Sequence, residues 1–75
     1  MNELRNLKCD LVTEQRDLSL KVEKLYAFLH SNSVENLDKE GLYLLVEQYG
    51  YMKNYLRIMN KRIALINEQI KNIKK

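Results

Sequence analysis

The chain has 75 residues, a formal net charge of +3, one cysteine, two glycines and no proline, with 45% of its side chains apolar. That length holds one domain, since domains run from roughly 50 to 250 residues, and Cys9 has no second cysteine with which to build a disulfide framework. Cys9 and His30 are too few soft or imidazole ligands for a structural zinc site, so stability must come from helix packing, self-association or both.

From the N-terminus, Met1 to Asp10 mixes charges with leucines and lacks the apolar core of a signal peptide. Together with the single free cysteine, this sets the expectation of a reducing cytoplasm. The longest apolar run, Leu42 to Val46, is far short of the roughly 20 residues that cross a bilayer, so no membrane partner is expected.

Abundant Leu, Lys, Glu and Gln without proline predict helix throughout. The one break is Ser31-Asn32-Ser33-Val34-Glu35-Asn36-Leu37-Asp38, where short polar side chains favour turns and caps. The reading is all-α: one domain over 1–75, with helix 1 at about 3–30, a loop at 31–37 and helix 2 at about 38–73. Asp38 is the expected N-cap of helix 2, with Asn36 as its rival. A loop this short makes antiparallel neighbours, hence an antiparallel helical hairpin.

With Leu4 as heptad position a, helix 1 places Leu4, Leu11, Leu18 and Leu25 at a, and Leu7, Glu14, Lys21 and Phe28 at d. With Leu45 as a, helix 2 places Leu45, Met52, Met59, Ile66 and Ile73 at a, and Gln48, Tyr55, Arg62 and Gln69 at d. Such sustained 3-4 spacing predicts a coiled-coil-like seam. Helix 2 is also apolar at e (Tyr49, Leu56, Ile63, Ile70) and g (Leu44, Tyr51, Ile58, Leu65), more surface than one partner helix covers. The expected assembly is therefore a homo-oligomer, minimally a dimer forming a four-helix bundle.

No Ser/His/Asp or Cys/His set, glycine-rich phosphate loop or paired-carboxylate framework is present in the sequence, so an enzyme is not expected and no cofactor is implied. His30, at the end of helix 1, reads as a cap or surface residue, and Cys9 as an exposed thiol. Residues 39–75 hold eight bases against three acids. Lys71, Lys74 and Lys75 finish this basic end, which suits the helix dipole or an anionic ligand. Nucleic acid is the weakest partner class, because a net charge of +3 comes with no groove-reading motif.

Glu14, Lys21, Gln48, Tyr55 and Arg62 stand at d positions expected to face inward, where burial is costly unless they pair. One reading pairs Glu14 with Arg62 and Lys21 with Gln48 or Tyr55, fixing register and oligomer state. The other makes them a ligand pocket between hairpins, with Lys21 and Arg62 meeting an anion and tyrosine stacking on a planar ring. Both can hold at once, with Glu14 orienting Arg62.

The pattern Glu14-x3-Leu18-x2-Lys21-x2-Lys24-Leu25-x2-Phe28, followed by Leu44-Leu45-x2-Gln48-x3-Met52-x2-Tyr55-x2-Ile58-Met59-x2-Arg62-Ile63, resembles a family of small phage helical-hairpin proteins of the crAss-like phage type. The resemblance spans about residues 11–66, and Lys21, Gln48, Tyr55 and Arg62 are its specific part. A looser, architectural likeness is to phage anti-defence sponges that sequester cyclic nucleotides. The likeness implies a non-enzymatic protein of the host cytoplasm that oligomerises and sequesters a cyclic-nucleotide or ADP-ribose-type signal. The alternative is an oligomeric helical module that inhibits or scaffolds a host protein.

Overall fold

The computed structural model describes residues 2–73, so Lys74 and Lys75 of the expected basic end lie outside the described residues. Helix α1 runs Asn2–Leu29, a short 3₁₀ segment follows at Asn32–Asn36, and helix α2 runs Lys39–Ile73. The two long helices pack side by side as a hairpin.

Serine chemistry makes the turn. The Ser31 hydroxyl donates to the Phe28 carbonyl at 2.7 Å, and the Ser31 N–H donates to the same oxygen at 3.0 Å, which closes the end of α1. The same oxygen accepts from the Ser33 N–H at 3.3 Å and so caps the 3₁₀ segment. That segment closes with the Leu37 N–H donating to the Val34 carbonyl at 3.1 Å. His30 also terminates α1: its Nδ1 lies 2.9 Å from the Tyr26 carbonyl, a contact that requires the Nδ1–H tautomer. The imidazole stacks near the Tyr26 ring, with centroids 4.1 Å apart.

Helix α2 starts where Asp38 caps it. Asp38 Oδ1 accepts from the Gly41 N–H at 2.7 Å, and the Leu42 N–H donates to the Asp38 carbonyl at 2.9 Å. A Cβ on Gly41 would lie 2.7 Å from that same carboxylate oxygen, so the glycine leaves room for the cap.

The core is small. Leu11, Met59 and Ile66 are the buried hydrophobic residues among those described, with Leu18, Ile63 and Ile70 packed against them. Along α2 the inward side reads Leu45, Tyr49, Met52, Leu56, Met59, Ile63, Ile66 and Ile70. These are positions a and e, and this corrects the expected a/d seam. Apolar e residues offered the same burial as the d positions without the cost of desolvating Gln48 or Arg62. On α1 the e positions Lys8 and Gln15 are half-buried, a place that long side chains with methylene stems tolerate beside a seam.

Candidate functional site

The shift of seam turns the d residues of both helices, except the half-buried Phe28, to one broad face of the hairpin. Glu14, Lys21, Gln48, Tyr55 and Arg62 are all exposed, and no polar or charged side chain is buried among the described residues. The expectation that they face inward within the hairpin is therefore overturned: each keeps its hydration, which a three-residue core could not replace.

Within that face the structure brings Glu14 and Tyr55 together across the two helices. The Tyr55 hydroxyl donates to Glu14 Oε1 at 2.7 Å. This bond first, and then the carboxylate's charge, raise the phenol above its ordinary value of 10.0, while Arg62 pulls the other way. The acceptor expected to pair with Arg62 thus serves the tyrosine. No hydrogen bond joins Lys21 to Gln48 or Tyr55 among the described residues, and Gln48 Nε2 instead reaches the Met52 sulfur at 3.7 Å.

The spacing of these groups limits what one copy can do. Gln48 and Arg62 stand fourteen positions apart on one helix, about 21 Å at ~1.5 Å per residue. A small ligand held by Gln48 is out of reach of its own chain's Arg62.

Beside Gln48 and Tyr55 lies a shallow groove of ≈ 560 Å³, lined also by Leu44, Glu47, Tyr51 and Met52. Tyr51 belongs to this surface; its placement at g beside two d residues is the signal that points to it. The groove offers two phenol rings, an amide and a thioether beside the Glu47 carboxylate, the chemistry of stacking on and hydrogen bonding to a planar heterocycle.

The opposite face carries a second groove of ≈ 490 Å³, lined by Lys53, Arg57, Asn60 and Lys61 over Val22, Leu56 and Ala64. Arg57 is held there by Asn54, whose Oδ1 accepts from Nε at 3.1 Å and from Nη2 at 2.8 Å. Lys53 Nζ sits 5.4 Å from the centre of the Tyr49 ring, and Tyr49 in turn lies 6.1 Å from Tyr26. The i, i+4, i+8 spacing of Lys53, Arg57 and Lys61 marks this stripe in the sequence.

Cys9 is exposed and free. No cluster of three or more His, Cys, Asp or Glu side chains suited to a metal ion occurs among the described residues. No helix among them is long and apolar enough to cross a membrane.

A protein-family model described as Sequestin matches residues 6–65, four-fifths of the chain and most of both helices. No curated protein and no solved structure matches the chain.

Proposed function

The chain belongs to the Sequestin family, and from that premise we propose that it is a non-enzymatic phage anti-defence protein. It self-associates in the host cytoplasm and sequesters a small anionic nucleotide signal, of cyclic-nucleotide or ADP-ribose type, between hairpins. Lys21 and Arg62 meet phosphate, Gln48 a base edge and Tyr55 a ring face, with Glu14 setting the tyrosine's orientation through its 2.7 Å bond.

One observation carries this reading. Two cations, an amide and a phenol share one solvent-accessible face of a helical hairpin, where their intramolecular hydrogen bonds among the described residues are Tyr55 to Glu14 and the long contact of Gln48 with the Met52 sulfur. Sequestration demands binding without turnover, and such a face supplies the recognition groups for it.

Isothermal calorimetry against cyclic di- and trinucleotides and ADP-ribose derivatives tests the proposal. Binding of one of these tighter than ~100 μM (about −5 kcal/mol), lost in Arg62→Ala, is the expected result. Silence across the panel defeats it.

The apolar exposure of α2 supports a second reading, an oligomeric module that inhibits or scaffolds a host protein. Tagged protein that recovers a stoichiometric host polypeptide, with no nucleotide bound, would favour that module over a sponge.

A further inference from the structure

Leu44, Tyr51, Ile58 and Leu65 recur every seventh residue along α2 and are between 43% and 71% exposed. Gln48, Tyr55, Arg62 and Gln69 alternate with them at d, also exposed. Together they form one continuous stripe on α2 with the 3-4 spacing of a coiled-coil seam, and no element of the hairpin covers it. Its ends, Leu44 and Gln69, lie about 37 Å apart along the helix.

We propose that this stripe pairs antiparallel with the same stripe of a second copy, and that the partner's Arg62 completes the Gln48–Tyr51–Tyr55 groove. The inference rests on the self-association in the reading above and names the surface and register that produce it.

Three observations select that arrangement. The first is area: the hairpin measures 56 × 16 × 14 Å, and the stripe runs along most of a broad face that is on the order of the ~800 Å² each partner gives to a standard interface, so a second hairpin laid along it covers a substantial part of that area. A core of three buried residues is what such a face would supplement.

The second is register. When facing residue numbers sum to 113, every member of the stripe meets another: Leu44 the partner's Gln69, Gln48 the partner's Leu65, Tyr51 the partner's Arg62, and Tyr55 the partner's Ile58. Slipping by one heptad strands either Leu44 with Gln48 or Leu65 with Gln69. A parallel pairing would set Arg62 against its own copy, whereas the antiparallel one lays its guanidinium on a tyrosine face. At the wet rim the register sets Glu47 near the partner's Glu68, a repulsion that salt screens.

The third is the site itself. Gln48 and Arg62 of one chain are about 21 Å apart along α2, yet in this register Gln48 and the partner's Arg62 occupy adjacent layers. The groove of ≈ 560 Å³ beside Gln48, Tyr51 and Tyr55 has ring faces and an amide but no cation in its lining. A second copy delivers the guanidinium there, and the two-fold axis makes two equal sites.

Cysteine cross-linking in a Cys9→Ser background tests the register. Leu44→Cys and Gln69→Cys protomers, mixed and oxidised, are expected to form a disulfide-linked dimer, while neither alone does, because like positions lie about 37 Å apart. Cross-linking of Leu44→Cys with itself overturns the proposal. Sedimentation separates the remaining failures: a dimer without the mixed cross-link defeats this register alone, and a monomer at micromolar concentration defeats self-association as well.

The placement of Arg62 has its own readout. Arg62→Ala is expected to weaken dimerisation roughly 5- to 30-fold, for two lost cation–π contacts per dimer, but less than about 2-fold in a Tyr51→Ala background. Equal losses in both backgrounds would overturn the claim that Arg62 lies over the partner's Tyr51.

Discussion

Tyr55 is the residue at which the two helices communicate through a polar contact, and its ionisation reports on that contact. Its phenol is raised above 10.0 chiefly because the neutral hydroxyl is the form that donates to Glu14. The protonated form is thus favoured by folding. The stabilisation is fully present below the unfolded value and is lost as pH rises through the folded one. Removing the acceptor in Glu14→Ala should lower the Tyr55 titration towards 10.0, followed by phenolate absorbance. An unchanged Tyr55 curve would show that the Glu14 bond does not persist in solution. Arg62, whose expected carboxylate partner Glu14 accepts from Tyr55 instead, stays exposed.

At the scale of the elements, the caps and glycines of α2 give separable effects. Asp38→Ala removes the acceptor of the Gly41 N–H and should cost about 1 kcal/mol in chemical denaturation. Gly50, by contrast, has nothing within 4 Å of an added Cβ. Gly50→Ala should therefore raise stability by about 0.5–1 kcal/mol, through backbone entropy alone.

These elements also show what the sequence could reveal. Leucines at 4, 11, 18 and 25 and the cap at Asp38 made the hairpin legible, because heptad spacing and short capping side chains act locally. The choice between an a/d and an a/e seam was not legible. Leu45, Met52, Met59 and Ile66 anchor either seam equally, and the decision falls to whether Tyr49, Leu56 and Ile63 or Gln48, Tyr55 and Arg62 lose water. Nor was the 3₁₀ turn legible, since it depends on one Ser31 hydroxyl serving two partners at once. The d residues proposed as the site were misread in their orientation, since Glu14, Lys21, Gln48, Tyr55 and Arg62 are exposed. Polar groups at d imply burial only if d is the seam.

At the scale of the whole molecule the hairpin is a rod. Its radius of gyration is 16.8 Å, against about 11 Å expected for a globule of this length. A rod has little interior, and Met59, with 0% exposure, lies at its centre. Met59→Ala should accordingly cost about 2–5 kcal/mol, enough to abolish cooperative melting, which circular dichroism would follow.

The seclusion of that thioether also turns it into a clock. Peroxide converts methionine to the sulfoxide only where it can collide with sulfur, so Met59 reacts during the moments when the rods part, whereas the half-buried Met52 reacts more freely. The ratio of the two oxidation rates, read by peptide mass spectrometry, measures how often the hairpin breathes, and a captured guest or a second copy should slow it.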